Sequence, residues 1–310
     1  MKRIFIIFTL QFALFASAFA QQDALVSQYM FNGLLLNPAY AGSKEYFSTT
    51  LLHRSQWTGW KGAPSTQIFT FHSLLRDKVS GVGLTVSNDH IGVTNRTEIS
   101  GHYAYHIPLG ENAKLAFGLK GGVSNYKAKL NELIYWDTDD QVFNQGVIRN
   151  LVPNAGVGAY FYTNKFYAGL SVPQLLSYDP REMFHIGENI ATLPHVRRHY
   201  YLNVGYVIEL SPSVALKPSV LVRYVHGAPI QADLNMNVLL NNMFWIGASW
   251  RTGDSFVGML EFQATKRLRV GYSYDYTLTD ISRYSNGSHE IMLGYDFGYK
   301  VLKMKSPRYF

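Results

Sequence analysis

"EISGHYAYHI", residues 98–107, alternates between two kinds of side chain along its whole length. Successive side chains of an extended strand point to opposite faces. One face would carry Ile99, Gly101, Tyr103, Tyr105 and Ile107, and the other Glu98, Ser100, His102, Ala104 and His106. The stretch therefore predicts a β-strand with one apolar and one polar face.

The same alternation recurs on both sides of this strand. After a turn at 110–113, "KLAFGLKGGVS" (114–124) predicts the second strand of an antiparallel hairpin. Further alternating runs lie at 214–224, 233–240, 244–250, 255–263, 267–278 and 289–300, with weaker ones at 45–57, 66–75, 79–88, 154–163, 165–172 and 198–210. About fourteen strands of about ten residues are typical of an all-β, transmembrane, antiparallel up-and-down β-barrel.

Two irregular and more polar stretches, 128–153 and 173–197, interrupt the alternation. In a barrel they are expected to be long loops on one side of the membrane, opposite the short turns. No linker or repeat divides the chain, so we expect a single barrel domain at 21–310.

Residues 1–20 have the form of a secretory signal peptide. Lys2 and Arg3 precede an apolar run, and Ala18-Phe19-Ala20 is an A-x-A cleavage site before Gln21. No later run reaches the roughly 20 apolar residues that a membrane-spanning helix needs. We therefore expect export, with the mature chain starting at Gln21.

Composition argues against several classes of protein. Cysteine is absent, so disulfides and thiol chemistry make no contribution. The formal net charge of +7 is not concentrated in basic runs, which argues against nucleic-acid binding. Charged residues make up 16% of the chain and aromatic residues 15%. Soluble domains carry about 25% charged residues, so this chain has an unusually small charged fraction.

Alternation of this kind fits both a membrane barrel and a soluble β-sandwich, so the chemistry of the two faces has to distinguish them. The polar face is interspersed with Gly118, Gly122, Gly247, Gly271, Gly294 and Gly298. It also carries charges of both signs, which we predict to line and pair across a lumen: Glu98, Lys120, Arg223, Asp233, Arg251, Glu261, Arg269, Asp275 and Asp296. Tyrosine-rich strand ends fit the aromatic belts of a membrane protein. These features favour a barrel with its apolar side chains facing lipid.

Catalytic and cofactor-binding motifs are missing from the sequence. G-x-S-x-G, P-loop and dinucleotide-binding patterns do not occur, and His289-Glu290 is not followed by the second histidine of H-E-x-x-H. The segment Asp137-Thr138-Asp139-Asp140 lacks the glycine and distal glutamate of an EF-hand, which favours a solvated loop.

His102, His106 and Glu98 share one strand face, which raises the alternative of a metal or acid–base site. Residues four apart on a strand are separated by roughly 13 Å, so one strand alone does not bring them to one ion. Lining of the lumen is the preferred interpretation. We expect no enzyme activity, cofactor or metal.

Four stretches, in this order along the chain, resemble the PorP/SprF family of type IX secretion system outer-membrane proteins of Bacteroidota. They are "QYMFNGLLLNPAYAG" (28–42), "HRSQWTGWKGAPSTQ" (53–67), "HEIMLGYDF" (289–297) and "SPRYF" (306–310). The resemblance implies a non-catalytic outer-membrane barrel that assists export or surface attachment of a large adhesin with a C-terminal sorting domain. It also implies association with other secretion or gliding proteins, including a peptidoglycan-binding periplasmic partner.

The motif residues are candidates for docking such partners: Asn37, Pro38, Tyr40, Gly42, Arg54, Trp57, Trp60 and Pro64. The long loops 128–153 and 173–197, or the chain ends 21–44 and 301–310, are the segments expected to hold a secreted protein or a complex subunit. The alternative function is a passive or substrate-selective porin. A barrel hydrolase would need a nucleophile paired with a histidine, which the sequence does not indicate.

Overall fold

The structure is a computed structural model that describes residues 26–132, 146–176 and 197–297. Fifteen strand segments form one antiparallel sheet. They are β1 Phe47–Ser55, β2 Ser65–Leu74, β3 Ser80–Ile91, β4 Thr94–Pro108, β5 Lys114–Lys129, β6 Val147–Tyr162, β7 Phe166–Val172, β8 His199–Tyr206, β9 Ile208–Ser211, β10 Val214–Val225, β11 Gln231–Leu240, β12 Phe244–Arg251, β13 Ser255–Gln263, β14 Leu268–Thr277 and β15 Ser288–Phe297.

Segments β8 and β9 are two halves of one strand, interrupted at Val207, so the wall has fourteen strands. Both halves pair with β10 in one register as far as Glu209, with Gly205 opposite Ser219 and Ile208 opposite Leu216, and the register shifts only at Ser211. The interruption therefore lies opposite Lys217 and Pro218. Because proline has no N–H, Pro218 cannot donate a ladder hydrogen bond there.

The sheet closes on itself without an edge. Each strand pairs with its sequence neighbours, and β1 pairs with β15 along its whole length, from Phe47–Phe297 to Ser55–His289. The predicted all-β, antiparallel up-and-down barrel of about fourteen strands is confirmed. None of the helices among the described residues has the length and hydrophobicity required to cross a lipid bilayer.

The connections at one end of the barrel are short and those at the other are mostly long. The short-turn end carries 75–79, 109–113, 163–165, 212–213, 241–243 and 264–267, and the long-loop end carries 56–64, 92–93, 130–146, 173–198, 226–230, 252–254 and 278–287. The two predicted long loops thus emerge on the same side.

The predicted bounds of the first long loop were wrong. β5 continues to Lys129, where it pairs with Val147, so 147–153 belongs to strand β6. The alternation there was obscured because Arg149 and Pro153 share the outer face with Leu151. Most of the second long loop, 177–196, lies outside the described residues, as do the predicted signal peptide and the C-terminal motif at 306–310.

The two faces of the wall have the predicted chemistry. Leu51, Ile99, Leu119 and Leu260 are half exposed or more on the outside. The apolar outer face runs from Ile99 on β4 to Leu109, the first residue after that strand. That distance is roughly 33 Å at about 3.3 Å per residue. A strand tilt of about 40° reduces it to roughly 25 Å, the height of the apolar band of outer-membrane barrels.

Candidate functional site

The N-terminal segment 26–44, called the plug here, lies inside the barrel. It folds into three short 3-10 helices, Tyr29–Phe31, Gly33–Leu35 and Pro38–Tyr40, and most of its side chains are buried. The Oδ1 atom of Asn37 accepts the backbone N–H of Ala39 at 2.9 Å, and Pro38 opens the third helix, where its missing N–H is not needed. Gly42 turns the chain toward β1 with a φ of 78°.

Lumen-facing glycines provide the space for the plug. A Cβ atom added to Gly118 would overlap the backbone of Ala39. At Gly158 it would overlap the side chain of Asn37, and at Gly271 that of Gln28. Of the glycines that sequence analysis assigned to a polar face, Gly118 and Gly271 are therefore points of close approach between the wall and the plug, whereas Gly122, Gly247 and Gly294 lie against other residues of the wall.

The beginning of the plug binds a buried carboxylate at the long-loop end of the barrel. Glu290 accepts the backbone N–H of Ser27 at 2.9 Å and that of Gln28 at 2.8 Å. Arg54 lies 3.3 Å from the same carboxylate and 2.7 Å from Asp275, and the Ser27 hydroxyl donates to Asp275 at 2.8 Å. These five residues are called the Glu290 site. Glu290 is fully buried, so each of these interactions acts in a medium with little water.

Three of the four family-like stretches meet at this site. Gln28 begins the first, Arg54 lies in the second, and Glu290 lies in the third. Sequence analysis proposed Arg54 as a docking residue and did not include Glu290 among the lumen charges. The signal that would have found Glu290 is its place on the polar face of "HEIMLGYDF".

The predicted lumen charges form three groups inside the barrel. Four of them belong to the first group, which joins Arg54 and Glu290 of the Glu290 site in one chain of alternating sign. Its successive pairs are Arg223–Asp233 at 2.6 Å, Arg251–Asp233 at 3.2 Å, Arg251–Asp275 at 3.6 Å, Arg54–Asp275 at 2.7 Å and Arg54–Glu290 at 3.3 Å. Pairing of each buried ion offsets its loss of hydration.

Glu98 is the centre of the second group. Its carboxylate lies 2.7 Å from Arg96 and 2.6 Å from Lys120. Ser100 and Ser124 also donate hydrogen bonds to it, at 2.7 and 3.0 Å. A carboxylate with so many donors remains ionised.

The third group lies at the short-turn end. Arg269 lies 3.5 Å from Glu261 and 3.4 Å from Asp296, and Ser48 donates to Asp296 at 2.6 Å. Lys44, which precedes β1 and is not part of a spanning strand, lies near this group. Burial, with a smaller contribution from the charge of Arg269, lowers the pKa of Lys44 to about 8.

Side chains of the wall also bind the middle of the plug. Asn37 donates to the carbonyl of Ala159 at 2.9 Å, which ties the plug to β6. Lys217 donates to the carbonyl of Met30 at 3.3 Å, and Asn235 donates to the Tyr29 hydroxyl at 2.8 Å. The plug is therefore bound through polar contacts along its length.

The lumen is less polar than the sequence indicated. Tyr160, Tyr162, Tyr167 and Tyr201 point inward and are buried in one cluster with the plug residues. Assignment of the tyrosines to membrane belts was therefore wrong for these four. Their rings face inward because the plug offers them an apolar surface, including Tyr40, whose ring centroid lies 5.6 Å from that of Tyr160.

The eight docking candidates divide into two sets. Asn37, Pro38, Tyr40, Gly42 and Arg54 are buried, so they do not form an exposed docking surface in this conformation. Trp57, Trp60 and Pro64 lie in the connection 56–64, where half of the Trp60 side chain is exposed. This connection contacts the connection 278–287, since the N–H of Thr58 donates to the carbonyl of Gly287 at 2.8 Å.

The two histidines of the alternative metal or acid–base site, His102 and His106, have different partners. His106 lies 2.8 Å from the carbonyl of Ala41 and 3.0 Å from the Tyr162 hydroxyl, while His102 lies 2.9 Å from Thr85. Among the described residues, no group of three metal-ligating side chains comes together. Asp137–Asp140 lies outside the described residues.

A cavity of about 140 Å³ remains beside the plug. Its lining includes Leu34, Ile68, Glu98, Lys120 and Arg223, so apolar and charged groups border it together.

A closed antiparallel barrel with an apolar outer band and a polar, plugged interior defines the class of outer-membrane β-barrels. Residues 18–295 match the sequence profile of the family "Type IX secretion system membrane protein PorP/SprF". This chain belongs to the PorP/SprF family and is an outer-membrane component of type IX secretion. The suspected family is thereby confirmed.

Several solved barrels are similar in shape. They include the CymD monoaromatic hydrocarbon channel (TM-score 0.49, 11% identity, 86% of this chain and 92% of that one) and Acinetobacter baumannii Omp33 (0.46, 10%, 82% and 98%). A Pseudomonas aeruginosa FadL homologue gives a TM-score of 0.45 at 10% identity, over 84% of this chain and 93% of that one. No curated protein sequence matches this chain.

Proposed function

We propose that this protein is a non-catalytic docking component that assists export or surface attachment of a large adhesin, or of another secreted protein with a C-terminal sorting domain. The observation that carries the proposal is the plug. Because residues 26–44 fill the lumen and are hydrogen-bonded to the wall near both ends and in the middle, the described barrel is suited to binding at its rims.

The rim that fits this role is the long-loop end. In outer-membrane barrels the longer loops face the cell exterior and the short turns face the periplasm. The connection 56–64, with its exposed Trp60, lies at that end together with the loops after β5 and β7. A secreted protein would dock there. The short-turn end would contact the periplasmic components, including a peptidoglycan-binding partner.

The porin alternative predicts a water-filled lumen, and the plug argues against it.

The docking role is tested by deletion of the gene, followed by measurement of the cargo protein on the surface of intact cells by immunofluorescence. Loss of display, restored by the wild-type gene, is the expected result. Normal display would refute the proposal. Co-purification from mild detergent with identification by mass spectrometry would name the cargo and the periplasmic partner.

A further inference from the structure

The outer face of the five adjacent strands β1 to β5 changes from apolar to polar between two successive rows of outward residues. One row of directly paired outward residues consists of Leu51, Phe69, Val86, Ile99 and Val123. The next row toward the long-loop end consists of His53, Gln67, Asn88, Thr97 and Asn125. The edge of the hydrocarbon region lies between these rows, because polar groups are costly within it.

The polar row is internally hydrogen-bonded. Asn88 donates to Gln67 at 2.9 Å and accepts from Thr97 at 2.9 Å and from Asn95 at 3.0 Å. Such a row suits the level of the lipid headgroups, where polar side chains meet water and polar lipid groups.

Two cations lie one step above this row. Lys127 on β5 and Arg149 on β6 are directly paired, and both point outward by the alternation of their strands. Like charges opposite each other repel. Neither has an ion-pair partner among the described residues, whereas the nearby Lys129 pairs with Glu132 at 2.6 Å. An anion from outside the chain would remove this repulsion.

The wall below the cations offers room for acyl chains. Gly101, Gly121 and Ala155 form one outward row across β4, β5 and β6. A Cβ atom added to Gly121 would have no neighbour within 4 Å. The row is thus a shallow trough in the apolar band, beneath Val123 and Pro153.

We propose that Lys127 and Arg149 bind a phosphate group of a phosphorylated glycolipid of the outer leaflet, with its acyl chains lying in the trough of Gly101, Gly121 and Ala155. A guanidinium binds phosphate through two parallel hydrogen bonds and an ammonium binds it as a point charge. The position at the hydrocarbon edge favours a lipid over free phosphate, and the long-loop end places it in the outer leaflet.

The test is native mass spectrometry of the full-length barrel, delipidated and then incubated with bisphosphorylated lipid A. We expect the variant K127Q/R149Q to retain roughly thirtyfold less of this lipid than the wild type, since each of the two cations contributes about 1 kcal/mol near an anionic surface. R149K, which keeps the charge and loses the paired hydrogen bonds, should show an intermediate loss. The matched control K266Q/R267Q removes two exposed cations at the short-turn end and should bind like the wild type.

Three further measurements distinguish the possible sources of the phosphate group. Dephosphorylated lipid A and phosphatidylglycerol should each be retained less than lipid A by the wild type, and inorganic phosphate at millimolar concentration should not displace it. Equal retention of lipid A by K127Q/R149Q and the wild type, or equal loss in the control, would overturn the proposal. Equal binding of phosphatidylglycerol, or displacement by inorganic phosphate, would overturn the assignment to a glycolipid. Heat-modified migration on a gel verifies that each variant is folded.

Discussion

The Glu290 carboxylate of β15 accepts the backbone N–H of Gln28 at 2.8 Å, across 262 residues of sequence. The backbone N–H of the preceding residue, Ser27, donates to the other oxygen of the same carboxylate at 2.9 Å. Arg54 lies beside it on the neighbouring strand β1. The plug has no regular helix or strand at its start, so these two N–H groups have no partner in the plug's own backbone. Glu290 satisfies them.

Replacement of Glu290 by Gln should loosen the beginning of the plug. The neutral amide offers one acceptor oxygen instead of two and leaves Arg54 with less compensation, a local loss of roughly 2–3 kcal/mol. Hydrogen exchange of the amides of 27–31 should accelerate by roughly 30- to 150-fold. The control is Glu209→Gln, which removes an exposed pair with Lys165 and should leave this exchange unchanged. Unaltered protection in E290Q would show that the Glu290 site does not bind the plug.

Replacement of Gly118 by Ala should displace the third helix of the plug. The added methyl would overlap the backbone of Ala39, and overpacking of this kind costs about 1–3 kcal/mol. We expect faster proteolysis within 36–42 and a lower unfolding temperature in detergent. Gly121→Ala places the same methyl on the outer face of the same strand, where it meets nothing within 4 Å. If both variants behaved alike, close packing at Gly118 would not be the cause.

Deletion of residues 27–41 should open the lumen. A fourteen-stranded barrel without its plug encloses more space than the side chains of its own wall fill. In planar lipid bilayers we expect stable ion conductance from the deletion variant and none from the intact protein. Steady conductance of the same size from both proteins would favour the porin alternative.

An epitope tag placed directly before Val26 should be reached by antibody on intact cells. Ser27 and Gln28 bind Glu290, the third residue of β15 after the connection 278–287, so the plug begins at the long-loop end. Its other end, at Lys44, lies with Asp296 at the short-turn end. The same tag inserted in the turn 264–267 should become accessible only after the outer membrane is permeabilised. A reversed pattern would mean that the short turns face outward.

Much of the wall follows from local sequence, as "EISGHYAYHI" illustrates. Its outward Ile99, Tyr103 and Tyr105 and its buried Glu98, His102 and His106 were all assigned to the correct faces. The bounds of β6 were missed because Arg149 and Pro153 interrupt the apolar face. Alternation is a weak signal wherever a strand extends beyond the membrane, since lipid no longer requires an apolar outer face.

The candidate site was predicted only in part. The lumen charges were found because buried polar residues recur at every second position of the strands. Most of their partners were not, because most of the ion pairs join different strands whose register a single sequence does not contain. Arg96 and Glu98, on one strand, are the exception among the lumen pairs described above. Glu290 and Arg54 differ by 236 positions and lie 3.3 Å apart.

Sequence alone determined that the strands exist, which face of each is apolar, and that the polar faces enclose a lumen, since each of these depends on the order of neighbouring residues. Only the tertiary structure decided that "MFNGLLLNPAYAG" fills the lumen and does not line its mouth. A short apolar segment with an Asn-Pro pair is compatible with a turn, a surface or a core. The glycines, tyrosines and charged groups that receive the plug come together only when β15 closes on β1.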